Sequence, residues 1–165
     1  MVEYVTLVNQ NDEVIGEMEK MQAHELGLLH RAFSVFVFNS KNELLLQKRS
    51  SVKYHSSGLW TNTCCGHPRP DEEVKAAAKR RLKEEMGIFC ELNFKQTFLY
   101  KAKFGNGLTE HEVDHIFIAV YDGNVTPDPA EAEAYKWQPI SQIKSEIKTN
   151  PEGFTFWFKE IINLF

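Results

Sequence analysis

Cys65 and His67 stand two residues apart in the stretch Trp60-Thr61-Asn62-Thr63-Cys64-Cys65-Gly66-His67-Pro68, so one loop offers a thiol and an imidazole together. A thiol can carry a proton, and an imidazole can carry a proton or hold a metal ion. The segment Arg80-Arg81-Leu82-Lys83-Glu84-Glu85-Met86-Gly87 closes an acidic helix that could hold a second cation against a phosphate. Together these residues point to chemistry on a phosphorylated small molecule. Further along, Glu110, Glu112 and Asp114 share a strand face with Ile116, Ile118 and Val120, so that one face passes from carboxylate to core. Carboxylates that are buried need a metal or a partner. His24 and His30 are further imidazoles upstream, although a single histidine is more often a solvated surface ring. Cys64 and Cys90 read as small buried apolar residues, the usual fate of a free cysteine.

These groups are far apart in the chain, and only tertiary structure can bring them together. Tyr4 to Val8 and Val14 to Met18 read as strands around a turn at Asn9 to Glu13. Phe33 to Asn39 and Leu44 to Lys48 read as a hairpin closed by Ser40-Lys41-Asn42-Glu43. Pro70-Asp71 followed by Glu72-Glu73 predicts a helix start with Asp71 as N-cap, and Gly87 predicts its stop. Beyond it Cys90 falls in an expected strand. Phe94, Gln96, Phe98, Tyr100, Ala102 and Phe104 alternate with Lys95, Thr97, Leu99, Lys101 and Lys103 as the inner, aromatic face of another strand. Glu112 to Asp122 reads as a strand, with helices at Pro139 to Lys148 and Phe154 to Leu164. Strands interrupted by helices predict an α/β sandwich over one domain, residues 1–165.

Gly66, Glu72, Arg80, Leu82, Glu84, Glu85 and Gly87 fall on the register of the Nudix box, G-x5-E-x7-R-E-U-x-E-E-x-G, with Arg81 where Nudix hydrolases carry the first glutamate of their Arg-Glu pair. A W-T-N-x-x-C-G-H-P loop before an altered box resembles the type I isopentenyl diphosphate isomerases. Glu19-Lys20, His24, His30-Arg31-Ala32-Phe33-Ser34, Glu110-His111-Glu112 and Phe156-Trp157 carry the resemblance over nearly the whole chain. It implies a Nudix-type α/β/α sandwich with a mixed β-sheet and interconversion of isopentenyl and dimethylallyl diphosphate for isoprenoid synthesis. It also implies one divalent ion, Mn, Zn or Mg, on His24, His30, His67, Glu110 and Glu112. Cys65 and Glu112 would be the two proton carriers, assisted by Tyr100, with Trp157 over the cationic intermediate. Lys20, Arg49, Lys53 and Arg81 would contact the diphosphate, and Glu85 would hold a Mg ion bridging to it.

Plainer readings stand beside these. Trp157 and Tyr100 fit a helix core and a strand core, and Arg80, Arg81, Glu84 and Glu85 fit two i,i+4 ion pairs on a solvated helix. Two rival functions also stand: a Nudix pyrophosphohydrolase of a nucleotide derivative, opposed by Arg81, and a non-catalytic domain with a structural zinc knot. The chain of 165 residues has a net charge of -4 with both signs interspersed, which disfavours nucleic acid and polybasic membrane partners. Three cysteines make a poor disulfide framework, and no apolar run nears the ~20 residues a membrane helix needs. The expectation is a cytoplasmic monomer or homodimer acting on a small molecule.

Overall fold

The computed structural model describes residues 1–165. The chain runs β1 (Tyr4–Val8), β2 (Val14–Glu19), α1 (Lys20–Leu26), β3 (His30–Phe38), β4 (Glu43–Arg49), β5 (Trp60–Thr61) and β6 (Cys64–Gly66). It continues through α2 (Val74–Met86), β7 (Asn93–Lys103), β8 (Thr109–Val120), β9 (Ala132–Pro139), α3 (Ile140–Thr149) and α4 (Phe156–Ile161). The nine strands form one mixed sheet. β3 organises it, because its β-branched and aromatic residues are buried on both faces. Phe33, Val35 and Val37 pack beneath Ala77, Ala78, Leu82 and Met86 of α2. On the opposite face Phe36 packs with Ile116, Ile143, Trp157, Phe158 and Ile161. Helices thus cover both faces, the α/β/α sandwich expected from the sequence.

β3 runs parallel to β8 along its whole length, from His30↔Glu112 to Phe38↔Val120. Its other edge is shared in turn by β1 at Leu7, β6 at residues 64–66 and β4 at Leu44. This sharing corrects the expected hairpin. The turn after β3 forms, but the two strands pair only at Phe38↔Leu44, because β6 occupies the adjoining edge of β3. β4 departs to pair with β5 and β9 instead.

Other local expectations are revised. The N-cap of α2 is Glu73, whose carboxylate accepts from the N–H groups of Lys75 and Ala76; Asp71 instead makes a left-handed turn at φ 63°. The predicted stop at Gly87 holds: φ is 67°, and a Cβ there would meet Thr126 Oγ1 at 1.9 Å. In β7 the alternation begins only at Phe98, since a register shift between Phe94 and Gln96 leaves Phe94 exposed. Cys90 lies in the connection between α2 and β7, not in a strand. β8 begins at Thr109, earlier than expected, which brings Glu110 into the ladder, while Val120 at its end is exposed. No helix is long and apolar enough to cross a membrane.

Candidate active site

Strand registers bring the chemistry together. The parallel pair sets His30 beside Glu112, and the β7–β8 pair sets Tyr100 beside Glu112 and Ala102 beside Glu110. β6 pairs with β3 so that Cys65 lies opposite Ser34. Side chains alternate along β6. Cys64 therefore enters the core under α2, whereas Cys65 packs toward the opposite face, where His30, Glu112 and Tyr100 lie. His24 arrives from α1, whose C-cap Gly27 at φ 65° turns the chain toward β3.

His24, His30, His67 and Glu112 present donor atoms within 4.8 Å of one another. His30 Nε2 lies 3.3 Å from His67 Nε2 and 3.4 Å from Glu112 Oε1, and His67 Nε2 lies 2.9 Å from the same oxygen. Donors sharing an ion at bonds of about 2.1 Å lie roughly 3 Å apart when adjacent. The two Nδ1 atoms of His24 and His30 meet backbone carbonyls of Lys20 and Leu28 at 2.6 and 2.8 Å. Each Nδ1–H donates there, leaving the Nε2 lone pair to face the cluster. His24 Nε2 is buried without a partner. An unpartnered imidazole nitrogen among converging nitrogens and a carboxylate fits a divalent ion.

Glu110 does not join that group of four. It groups with His24 and His55, and the Tyr100 hydroxyl bridges the two carboxylates, 2.9 Å from Glu110 Oε2 and 2.6 Å from Glu112 Oε2. Burial and the charges of His67 and His30 press the His24 pKa down to about 4, so its ring is neutral. Burial pushes the Glu112 carboxyl up, but hydrogen bonds and charge from His30 and His67 outweigh it and hold Glu112 well below the usual carboxylate range. Burial holds the Cys65 thiol well above its ordinary value, against the pull of Arg49. Asp114 is raised by burial and by Glu112, and Ser34 Oγ donates to it at 2.6 Å.

One cavity of about 490 Å³ is lined by Cys65, His67, Tyr100, Glu110, Glu112 and Trp157, and equally by Lys20, Arg49, Lys53, Arg81 and Glu85. Three of the cations are held by carboxylates: Lys20 by Glu3, Lys53 by Glu131, and Arg81 by Glu84 at 2.7 Å, Glu85 at 2.7 Å and Glu131 at 3.0 Å. Burial pushes Glu85 up while Arg81 pulls it down, and Gln47 Nε2 donates to it at 2.9 Å. The Arg49 guanidinium lies 5.3 Å from the Trp157 ring centre. Arg80 instead clamps Glu72 at 2.7 and 2.9 Å, tying the loop before α2 to the helix. His24 and His30 lie in this site, not on the surface.

Several residues here were not singled out from the sequence. Asn62 Nδ2 donates to the carbonyls of Val35 and Cys64, and its Oδ1 accepts from Trp157 Nε1 at 3.2 Å. Thr63 donates to Leu45 O and accepts from Val37 N–H. These two explain why Thr61-Asn62-Thr63 precede the cysteine: they satisfy backbone groups where β3 and β4 splay, and they anchor Trp157. Their place within the motif was the available signal. Gln47 and His55 carried none, standing outside any motif.

A NUDIX domain pattern matches residues 28–158, and the chain belongs to the NUDIX family. A crystal structure of a Deinococcus radiodurans protein shares the fold at TM-score 0.82 and 18% identity, over 98% of both chains. Within the family the sequence relatives are narrower. The chain is 50% identical to isopentenyl-diphosphate Delta-isomerase 1 of Aromatoleum aromaticum, covering 99% of this chain and 92% of that protein. It is 51% identical to the isopentenyl-diphosphate Delta-isomerase of Burkholderia multivorans, covering 96% and 90%, and 49% identical to that of Serratia proteamaculans, covering 98% and 90%. It belongs with the isopentenyl-diphosphate Delta-isomerases.

Proposed function

We infer that this protein interconverts isopentenyl and dimethylallyl diphosphate, moving a carbon–carbon double bond by adding a proton at one carbon and removing one from another. The reading is carried by one observation: a thiol, Cys65, and a carboxylate, Glu112, line the same cavity as a buried tryptophan and a set of cations, with burial favouring the protonated thiol and His30 and His67 favouring the ionised carboxylate. Bond migration needs a group that gives a proton and a group that takes one. Cys65 and Glu112 are those carriers, and they exchange roles with direction. Tyr100 holds its hydroxyl against Glu112 and orients the carboxylate.

Proton addition to an unactivated alkene generates a tertiary carbocation, which water would capture. Trp157 is 2% exposed and supplies a π face for that charge, where a desolvated cation–π contact is worth about 2 kcal/mol. Lys20, Arg49, Lys53 and Arg81 bind the diphosphate, with guanidinium planes suited to phosphate oxygens. Binding would replace the present carboxylate partners of Lys20, Lys53 and Arg81, and Glu85 would hold a Mg ion that supplies positive charge to the diphosphate. His24, His30, His67, Glu110 and Glu112 would hold the second divalent ion, Mn, Zn or Mg, whose charge would favour the ionised form of Glu112. The protein acts in the cytoplasm, as a monomer or homodimer, in isoprenoid synthesis.

The hydrolase reading is opposed by Arg81, whose positive charge occupies a box position that hydrolases give to glutamate. Incubating the protein with isopentenyl diphosphate and Mg should give dimethylallyl diphosphate and release no phosphate. Phosphate release without isomerisation would reverse the reading. Chelation should remove activity and leave the circular dichroism spectrum folded, because the sandwich core is built without the histidines. Unfolding on chelation would favour the structural zinc knot.

A further inference from the structure

His55 lies in the connection between β4 and β5, outside every motif that identifies the family, yet it is 6% exposed and faces the metal-site carboxylate. Its Nε2 is 2.8 Å from Glu110 Oε1, off the axis of a hydrogen bond, and has no other partner. Its Nδ1 meets the Ser56 hydroxyl at 3.2 Å, so its Nε2 is presented inward as those of His24 and His30 are. Donor atoms of His24, His55 and Glu110 lie within 4.8 Å of one another. Arg49 secures the position by donating to the His55 carbonyl at 3.2 Å.

We propose that His55 is a protein ligand of the divalent ion held by His24, His30, His67, Glu110 and Glu112. Glu110 stands apart from the group of four on the His55 side, and His24 belongs to both groups, so one ion between them would draw donors from each. Four imidazoles and two carboxylates make a shell of six, which leaves no open position for water and shifts preference from Mg toward borderline transition ions. The ion then acts by fixing Glu110, Glu112 and Tyr100 rather than by touching substrate. The plainer role for His55 is a wall of the cavity: its ring stacks on Phe104 at 4.7 Å and meets Trp157 edge-on at 5.9 Å. A wall does not require a nitrogen aimed at a carboxylate.

The proposal rests on the metal centre itself, and the test separates the two. Mn is titrated into metal-stripped wild type, His55→Phe, His55→Gln and His24→Ala by calorimetry, and the water-proton relaxivity of each Mn complex is measured. Phenylalanine keeps the stacked ring and removes the nitrogen, and glutamine serves if the phenylalanine variant does not fold. The expected result is Mn affinity lowered at least roughly tenfold in the His55 variants, with relaxivity raised as water enters the vacated position. Affinity within twofold of wild type in the His55 variants, with His24→Ala impaired, overturns the assignment of His55 alone. If His24→Ala also binds Mn like wild type, the metal centre is misplaced and the proposal falls with it.

Discussion

Cys65→Ala is expected to lower turnover by about 10³-fold or more while leaving Mn affinity and thermal unfolding close to wild type, since a positioned acid or base contributes ~10² to 10⁴-fold. The separation follows from where Cys65 stands. It lines the cavity from β6 and contributes nothing to the His and Glu cluster, and it is only partly buried against the core, so losing its sulfur costs little packing. Burial keeps the thiol protonated across the neutral range, which is the form that donates. Cys64 next to it is the internal control. It is fully buried under α2, so Cys64→Ala should cost stability and spare turnover. Steady-state rates beside thermal melts measure both, and Cys65→Ala within tenfold of wild type would overturn its assignment.

Glu112→Gln is expected to be as damaging in turnover but to differ in kind, because Glu112 is bound to everything around it. His67 and His30 meet one carboxylate oxygen and Tyr100 meets the other. The amide keeps the shape and removes the charge that these groups are arranged around. Turnover should fall by about 10³-fold or more, and Mn affinity should fall with it, by roughly tenfold or more. Calorimetric titration with Mn distinguishes the two variants: Cys65→Ala binds and does not turn over, whereas Glu112→Gln does neither well. A Glu112→Gln protein with wild-type Mn affinity would remove Glu112 from the metal shell, and one with near-wild-type turnover would remove it from the chemistry.

Much of this site was legible because its residues sit in short motifs with fixed spacing. The Cys65-Gly66-His67 run, the Glu110-x-Glu112 pair and the register from Gly66 to Gly87 point to a reaction before any coordinates are known. The α/β/α layering was legible as well, since period-two strands flank a helix that has a glycine stop. What could not be read depends on partners remote in sequence. The segment 33–48 has every local mark of a hairpin, and its ladder fails because β6, from the cysteine loop, takes the edge. Asp71 has the chemistry of an N-cap, but its left-handed backbone hands the cap to Glu73. β9 went unread between Asp122 and Pro139, where its alternation mixes apolar with charged residues and its partner β4 lies far upstream. His55 was hidden because a histidine in an irregular loop has no periodicity to mark it as buried. Glu110 lines the cavity with Glu112, and its place beside His55 rather than His30 needed the fold.

The central claim is proton addition and removal on an alkene, and the most direct test is proton NMR of the protein with isopentenyl diphosphate and Mg in deuterated water. Isomerisation by Cys65 and Glu112 predicts dimethylallyl diphosphate carrying solvent deuterium. Intact substrate with divalent metal shown to be bound, or product free of solvent deuterium, would contradict it.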